Sequence, residues 1–396
     1  MLINGERALA YIVKIDEILP IENADKIEVA RVGGWQVVVS KEDNFKVGDK
    51  VVYIEIDSRV PSDKEEFAFL KDRKYKVKTI KLRGQVSQGL IMPMTILDGA
   101  GAYEVGDDVT KALGIKKIEE EKPIINRSKE DKLKSAHPSL VRKLWFKKMM
   151  HYKWFRKLAF KFLIPKKKPK NFPTDFEGVS KTDQERVENM PWVLKDKRPF
   201  IVTTKIDGTS TTIVLDKRKK KEDLWVCSRN VRQLDRNMKN YHSVDGDDNI
   251  YWQVVDKYNL VEFLRAMCER FNLKWAAIQG ETAGISAGGA KIQGNPHKFG
   301  ELRFFGYDLI FPKKGKLDVI EAKELCEEFG IEWVPIVDTN FVLPDTMEEF
   351  KVQATGPCEA LGASGMREGY VYRLAEDCSF SFKNVSREYL LKNDSY

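Results

Sequence analysis

Residues 201–215 read IVTTKIDGTSTTIVL, two β-rich runs separated by a lysine, an aspartate and a glycine. The alternation of apolar and polar residues predicts two strands joined as a hairpin. Lys205 and Asp207 would then lie where the first strand ends, and Gly208 would let the backbone turn close to a ligand. A surface ion pair between positions i and i+2 explains the stretch, taken alone, better than any chemistry does.

A lysine in this position could act as a nucleophile that attacks an electrophile, and this role requires its neutral amine. The free side chain has a pKa of about 10.4, so little neutral amine exists near pH 7. Burial or neighbouring cations would have to lower the pKa of Lys205 before it could act as a nucleophile.

Other polar residues occur at the ends of predicted strands further along the chain, where side chains can converge on a cleft. Taken singly, each is explained as a solvated charge or a core aromatic. They stand in VCSRN (Ser228, Arg229, Asn230), AIQGETAG (Gln279, Gly280, Glu281), RFFGYDLI (Phe304, Phe305, Tyr307, Asp308), MREGYVYR (Arg367, Glu368, Gly369) and SFKNVSREYL (Lys383).

The composition indicates an intracellular globular protein. A chain of 396 residues with 42% hydrophobic residues is long enough for two or three domains. Its five cysteines are odd in number and form no CxxC pair, so neither a disulfide framework nor a structural zinc site is indicated. No run is long enough for a membrane span, and the first residues lack the pattern of a signal peptide.

Residues 8–94 alternate apolar and polar positions in short runs separated by turn signals. Four or five strands in about a hundred residues favour a small closed barrel of the OB-fold type, a common carrier of oligonucleotides. A purely structural barrel without a ligand is an equally good interpretation of the pattern.

Residues 142–170, here called the basic stretch, hold twelve lysines and arginines and no acid, so without them the net charge would fall from +8 to −4. Aromatic residues are interleaved with the cations, and a helical spacing would place many of them on one side. Three interpretations compete. They are a nucleic-acid-binding arm, which we favour, a helix packed on the larger domain and a helix on a membrane surface.

From residue 172 onward, strand-like runs alternate with helical stretches in hairpin-like pairs, which predicts antiparallel sheets flanked by helices. Neither a Walker A sequence nor GxGxxG occurs, so no P-loop or Rossmann nucleotide site is indicated. The predicted domains are 1–114 for the barrel, 115–171 for a basic aromatic helical linker and 172–396 for the larger domain, in an α+β protein.

The ordered set KxDG, SRN, a strand ending in glutamate, an aromatic strand, EGYVYR and FKN resembles the motifs of the covalent lysyl nucleotidyltransferases. That superfamily comprises polynucleotide ligases and mRNA capping guanylyltransferases. The segment PKNFPTDFEGVSKTDQERVENM (169–190) resembles the lead-in of RNA ligases, and IQGNP (292–296) resembles their loop after the third motif. A barrel placed ahead of the transferase domain is similar to the fifth RNA ligase family, which seals 3′-OH/5′-phosphate nicks when the 3′-OH strand is RNA.

The resemblance implies a role for each matching residue. Lys205 would attack the α-phosphate of ATP and carry AMP, with Lys383 and Arg229 supplying positive charge that lowers its pKa. Asp207, Glu281 and Glu368 would hold Mg²⁺ or Mn²⁺ directly or through water, although one of the glutamates could instead bind a ribose hydroxyl. The remaining ATP-binding residues implied are Thr204, Ile206, Phe304, Phe305 and Val371, with a phenylalanine and Val371 on opposite faces of adenine.

Alternatives and one departure remain. A capping guanylyltransferase would use GTP, a DNA ligase would seal DNA, and a degenerate transferase domain would leave only RNA binding through the barrel and the basic stretch. The expected partner is RNA as a nicked duplex or an RNA/DNA hybrid. The family pattern has two lysines at i and i+2 in its last motif, but Ser381 stands where the first would be, so Lys383 would carry more of the phosphate contact.

Overall fold

The computed structural model describes residues 1–3, 6–118, 133, 137–163, 172–181, 184–233, 236 and 249–393. Short strands make up the N-terminal part of the chain. They are β1 (Leu2–Ile3), β2 (Glu6–Arg7), β3 (Ala10–Lys14), β4 (Glu17–Pro20), β5 (Ile27–Val32), β6 (Trp35–Ser40), β7 (Lys50–Ile54), β8 (Ser58–Arg59), β9 (Lys76–Val77), β10 (Thr79–Leu82), β11 (Gln85–Gln88), β12 (Leu90–Pro93) and β13 (Lys116–Lys117).

The N-terminal strands are paired antiparallel in the orders β4-β5-β6, β12-β7-β3, β13-β8-β9 and β10-β11. Side chains along β3 alternate between two cores: Tyr11 packs in one, and Ala10 and Ile12 pack in the other. Because successive side chains of a strand point to opposite faces, the apolar run from Ala10 to Val13 in β3 can contribute to both cores. The β-rich prediction for residues 8–94 is confirmed.

Three short helices follow, α1 (Pro138–Arg142), α2 (Leu144–Met149) and α3 (Lys153–Phe162). They share a small core in which Leu133, Phe146 and Ala159 are buried. The helical spacing predicted for the basic stretch is present in the part that the structure describes, residues 142–163; residues 164–170 lie outside it.

The C-terminal part consists of two sheets and their covering helices. Its elements are β14 (Glu185–Arg186), β15 (Phe200–Lys205), β16 (Thr209–Asp216), β17 (Asp223–Ser228), α4 (Ile250–Lys257), α5 (Leu260–Arg270), β18 (Trp275–Ala283), β19 (Arg303–Phe311), β20 (Gly315–Lys316), α6 (Val319–Glu327), β21 (Ile336–Phe341), α7 (Met347–Gln353), β22 (Gly369–Leu374), β23 (Asp377–Val385) and α8 (Arg387–Asn393).

The first sheet has the strand order β14-β23-β22-β15-β21 and the second has the order β17-β16-β18-β19-β20. All pairs are antiparallel except β14 with β23. Helices α4, α5 and α6 share the large apolar core with the second sheet, and Phe350 of α7 packs against Tyr372 and Phe382 of the first. The predicted antiparallel sheets flanked by helices are confirmed.

The hairpin predicted for residues 201–215 is wrong. Strand β15 pairs with β21 and β22 in the first sheet, whereas β16 pairs with β17 and β18 in the second. Both strands are almost entirely buried, so each needs a neighbour on both edges, which a two-stranded hairpin does not supply. Residues 206–208 therefore cross from one sheet to the other.

The N-terminal barrel is docked on the segment that leads into β15. The Gly34 N–H donates to Glu188 O at 2.9 Å. The amide of Asn189 accepts from Tyr11 Oη at 2.9 Å and from Trp35 Nε1 at 2.6 Å, and it donates to Glu55 at 2.8 Å. The predicted domain boundaries at residues 114 and 171 stay a prediction. Strand β13, just beyond the first boundary, pairs with β8 of the N-terminal part.

Candidate active site

The register of the first sheet gathers the predicted cation and nucleotide-contacting residues on one face. Lys205 pairs with Gly369, and two residues further along the strands Val371 lies between Thr203 and Lys383. Residues directly opposite each other on neighbouring strands present their side chains to the same face. One face of the first sheet therefore carries the side chains of Lys205, Val371 and Lys383. Directly after Lys205, residues 206–208 leave this sheet and cross to the second one.

Three carboxylates surround the Lys205 ammonium. Lys205 Nζ lies 2.6 Å from Glu368 Oε2, and both side chains are largely buried. Burial by itself lowers the pKa of Lys205, but the negative charges of Glu368, Glu281 and Asp207 outweigh it, and the pKa is raised above 10.5. The expectation that neighbouring cations lower the pKa of this lysine is wrong for the protein alone, because carboxylates are its strongest charged neighbours.

Glu281, on β18 of the second sheet, is the carboxyl group most affected by this crowding. Burial raises its pKa to about 8, and the charges of Asp207 and Glu368 add to the effect, while Lys205 and Arg229 oppose it. Arg229 directly follows the last residue of β17 and acts here on Glu281, while its predicted roles toward Lys205 and ATP stay predictions. Burial therefore favours the neutral form of Glu281 in the protein alone.

Asp207 is held from two sides by residues that the sequence reasoning did not assign. Its backbone N–H donates to His297 Nε2 at 2.8 Å, and Tyr389 Oη donates to its Oδ2 at 2.6 Å. His297 is completely buried, and burial lowers its pKa to about 4, so its imidazole is neutral and Nε2 can accept. His297 directly follows the IQGNP loop, and this position was the available signal.

Gly208 approaches protein backbone instead of a ligand, which corrects the sequence-based expectation. A Cβ at this position would lie 2.3 Å from Thr282 O and 3.1 Å from Ala283 Cβ on β18. Real Cβ atoms do not come so close to a carbonyl oxygen. The absence of a side chain at Gly208 therefore lets the crossing segment pack directly beside the strand that carries Glu281.

The two predicted stacking residues point to different faces of the second sheet. Phe305 pairs with Glu281 across β18 and β19, whereas Phe304 pairs with Thr282. The Phe304 ring packs near Tyr258, at a centroid distance of 6.1 Å. Directly opposite residues share a face, so Phe305 is the aromatic on the side of Glu281. Both rings are buried in the large apolar core.

Two of the implied ATP-binding residues have their side chains committed elsewhere. Thr204 Oγ1 donates to Glu359 Oε2 at 2.7 Å, on the face of β15 opposite to Lys205. Ile206 is 3% exposed and belongs to the large apolar core. Any contact of these two residues with a nucleotide would therefore have to come from their backbone.

The position of Ser381 is faced by an arginine. Ser381 pairs with Arg373, which pairs in turn with Ile201. Arg373 is 2% exposed; its guanidinium donates to Thr203 Oγ1 at 3.0 Å and lies 3.6 Å from Asp308 Oδ1 on β19. A buried cation thus occupies the same face and rung as the lysine that this chain lacks.

The barrel contributes a carboxylate beside Lys383. Asp57 lies 3.3 Å from Arg186 and 3.1 Å from Lys78. Burial raises the pKa of Asp57, but the charges of Arg186, Lys78 and Lys383 reverse the shift, so its pKa lies below the ordinary value. Arg186 belongs to the lead-in segment quoted above, although no role was assigned to it from the sequence.

The predicted metal-binding carboxylates are brought together around Lys205, but not as a preformed cage. Among the described residues, no group of three His, Cys, Asp or Glu side chains has the geometry to hold a metal ion directly. The charges of Asp207 and Glu368, which add to the effect of burial on the pKa of Glu281, nevertheless favour an added cation. Mg²⁺ and Mn²⁺ commonly bind through one or two carboxylates, waters and phosphates, so the donor set fits a largely hydrated ion.

Comparisons with known proteins agree with both halves of the fold. Residues 198–386 match the RNA ligase family, and residues 9–94 match an OB-fold domain. No curated protein matches the sequence. No helix of the described residues is long and apolar enough to cross a membrane.

Solved structures of Naegleria gruberi RNA ligase are similar over nearly the whole chain. The ligase with PPi is 31% identical, covers 98% of this chain and 99% of its own, and has a TM-score of 0.73. A mutant of the same ligase with ATP and Mn is 30% identical, and the match covers 98% of this chain and 100% of the mutant's, with a TM-score of 0.73. A lysine-to-methionine mutant with AMP and Mn is 31% identical over 98% and 99%, with a TM-score of 0.72.

These similarities confirm the predicted α+β architecture with an OB-fold domain at the N-terminus and a sheet-rich transferase domain after it. They also confirm the resemblance inferred from the ordered motifs, because identity above 30% extends over almost the full length of both chains. The chain belongs to the RNA ligase family.

Proposed function

We propose that the protein is an ATP-dependent RNA ligase that seals 3′-OH/5′-phosphate nicks in RNA duplexes or RNA/DNA hybrids. One observation carries this proposal: Lys205 Nζ pairs with Glu368 and interacts with the charges of Glu281 and Asp207, on the sheet face that also presents Val371 and Lys383. The Naegleria gruberi ligase structures with ATP, AMP and Mn support ATP and a divalent metal as cofactors.

In the first step the Lys205 amine attacks the α-phosphorus of ATP, and pyrophosphate leaves as the lysyl-AMP bond forms. The ammonium must first lose a proton, and Glu368 Oε2 at 2.6 Å is its nearest acceptor. Lys383 shares the sheet face of Lys205 and contributes positive charge to the phosphate. Phe305 and Val371 are the proposed stacking partners of adenine, since both lie on the faces that meet at Lys205.

A bound Mg²⁺ or Mn²⁺, held by Asp207, Glu281 and Glu368 largely through water, would offset the negative charge of the carboxylates and phosphates. In the protein itself, His297 and Tyr389 hold Asp207 in place, and Arg229 partly balances Glu281. The buried Arg373 supplies the positive charge that the family pattern would place at Ser381.

In the later steps AMP passes from Lys205 to the 5′-phosphate of RNA, and the neighbouring 3′-OH displaces AMP to form the phosphodiester. Each step changes the charge on a single phosphate at one place, so the same cations serve all three steps. An intracellular location is part of the proposal, supported by five free cysteines.

The first experiment uses α-labelled ATP or GTP with Mg²⁺ or Mn²⁺ and detects label that survives denaturation. We expect an adduct from ATP that is lost in Lys205→Ala and retained in Lys323→Ala, a surface lysine on α6. An adduct from GTP alone would indicate a capping-type guanylyltransferase. The absence of any adduct would favour an RNA-binding protein without catalysis, and an adduct that persists in Lys205→Ala would remove the proposed nucleophile.

The second experiment offers nicked duplexes that differ only in the strand bearing the 3′-OH. We expect sealing when that strand is RNA and much weaker sealing when it is DNA. Equal sealing of both substrates would contradict the proposed RNA specificity, and preference for DNA would indicate a DNA ligase.

A further inference from the structure

Helices α1, α2 and α3, with His137 and Leu163 at their ends, form a closed unit that we call the basic module (residues 137–163). Its ends meet, since His137 Nε2 lies 2.9 Å from Leu163 O. Its core includes buried Phe146 and Ala159. The apolar interior is filled by residues of the module together with Leu133, and the outer surface of the helices remains exposed.

The outer surface is apolar to a degree that is unusual for a small helical unit. Six of the sixteen exposed large hydrophobic side chains of the described residues lie between positions 144 and 162. Monomeric proteins rarely gather such side chains without a binding function. The six are Leu144, Trp145, Tyr152, Trp154, Leu158 and Phe162.

The exposed residues of α3 form two parallel stripes. Trp154, Leu158 and Phe162 recur at every fourth position and lie one above the other, over about 12 Å of helix. Lys153, Lys157 and Lys161 recur with the same spacing, immediately beside them, and are also exposed. The helix thus presents an apolar stripe bordered by cations.

The positive charge of the module favours a partner that carries many negative charges. Residues 137–163 contain eight lysines and arginines and no acid, and all but Arg156 are exposed. RNA and an anionic lipid surface both complement this charge. The two partners differ in what they offer to the apolar stripe.

The exposed leucine side chains of this surface distinguish a lipid partner from RNA. Leu144 is 77% exposed and Leu158 is 46% exposed. Bases stack on aromatic rings, not on leucine, and an apolar stripe set against RNA phosphates would remain unsatisfied. A membrane interface accepts Trp, Leu and Phe together while its anionic headgroups meet the flanking lysines.

We propose that the basic module docks the ligase on an anionic membrane surface, with Trp154, Leu158 and Phe162 inserted among the headgroups and the lysines paired with lipid phosphates. This interaction surface is separate from the proposed ligation chemistry. The sequence pattern alone favoured a nucleic-acid arm for this stretch; the exposed leucines of the folded module favour lipid.

The test is flotation of the full-length protein with vesicles of phosphatidylcholine alone or mixed with phosphatidylglycerol. We expect binding to the mixed vesicles only, weakened by salt. The triple variant Trp154→Ala, Leu158→Ala, Phe162→Ala should bind the mixed vesicles at least about tenfold more weakly, because three inserted side chains are removed. It should still form the lysyl-AMP adduct, which shows that it is folded.

A matched triple variant, Phe69→Ala, Val352→Ala, Leu361→Ala, removes three exposed hydrophobics elsewhere and should bind vesicles as the unaltered protein does. RNA binding is measured on the same proteins against salt concentration. No flotation with the mixed vesicles, or equal flotation of both triple variants, would overturn the proposal. Deletion of residues 142–163 that weakens RNA binding and flattens its salt dependence, without flotation of the full-length protein, would assign the module to RNA.

Discussion

At the scale of single residues, the protein places one lysine beside three carboxylates, and the pKa of the lysine and the pKa of the buried Glu281 both rise, for different reasons. The ammonium of Lys205 is stabilised, so its pKa rises, and the carboxyl of Glu281 is disfavoured as an anion, so its pKa rises as well. The rise in the Lys205 pKa acts against the proposed attack on a phosphate, which needs the neutral amine.

We predict a pH-dependent contribution of Glu281 to the free energy of unfolding. Between pH 4.5 and about 8 the folded state keeps a proton that the unfolded chain releases, so this contribution falls as pH rises. One such proton corresponds to about 1.4 kcal/mol per pH unit. The stability of Glu281→Gln relative to the unaltered protein should therefore increase from pH 5 to pH 8 in urea unfolding without nucleotide.

Glu65→Gln, an exchange on the surface of the barrel, is the matched control for Glu281→Gln. A difference between Glu281→Gln and the unaltered protein that stays constant from pH 5 to pH 8 would show that Glu281 is ionised in the folded protein. The measurement needs no metal or ATP, so it tests the electrostatics of the site independently of catalysis.

His297 is predicted to act through Asp207. Replacing it with alanine removes the acceptor of the Asp207 N–H, and we expect lysyl-AMP formation to slow by about tenfold, the equivalent of one hydrogen bond. His297→Gln keeps an acceptor near the position of Nε2 and should restore part of the rate. His151→Ala, at an exposed histidine, is the control; equal rates in His297→Ala and His151→Ala would refute the role.

At the scale of elements, the site depends on how closely the crossing segment approaches β18. Gly208 lies against Thr282 O, one residue from Glu281. The KIDG sequence is thus as much a packing motif between two sheets as a set of reactive groups. Lys205 is the last residue of β15 in the first sheet, and Gly208 contacts β18 in the second. This contact therefore sets the distance between Lys205 and Glu281.

Gly208→Ala should therefore disturb both stability and chemistry. The added methyl group would overlap Thr282 O, and we expect a loss of about 1–3 kcal/mol in the free energy of unfolding. The lysyl-AMP adduct should decrease as β18 moves away. Gly101→Ala adds the same methyl group where no atom lies within 4 Å and should change neither quantity; full adduct formation by Gly208→Ala would contradict the packing role.

At the scale of the whole molecule, Asn189 joins the barrel to the transferase domain. The side-chain oxygen of Asn189 accepts hydrogen bonds from Tyr11 and Trp35, and its side-chain nitrogen donates to Glu55 and Glu185. The barrel so held brings Asp57 beside Arg186 and Lys383. The lead-in segment thus connects the position of the barrel to the Lys383 end of the candidate site.

Asn189→Ala should loosen this junction. Four hydrogen bonds are lost and the buried Glu55 loses a donor, so we expect a destabilisation of about 2–4 kcal/mol. In calorimetry the unfolding of Asn189→Ala should be broader, or more clearly divided into separate transitions, than that of the unaltered protein as the domains uncouple. Asn340→Ala, at an exposed asparagine, is the control, and an unchanged transition in Asn189→Ala would show that other contacts suffice to hold the barrel.

Much of this protein was predictable from local pattern. The alternation in residues 8–94 predicted the barrel strands, and the ordered motifs from KIDG to FKN predicted the family and the group of Lys205, Asp207, Glu281 and Glu368. These inferences succeed because strand periodicity and the residue types that a lysyl-AMP reaction needs are both written along the chain.

The partners of each strand and the charges around each group were not available from that pattern. Periodicity shows that β15 and β16 are strands but not that they belong to different sheets, and no motif shows that His297 supports Asp207 or that Arg373 faces Ser381. The direction of the Lys205 pKa shift was also missed. All of these depend on contacts between residues distant in the chain, and such contacts exist only once the sheets have packed together.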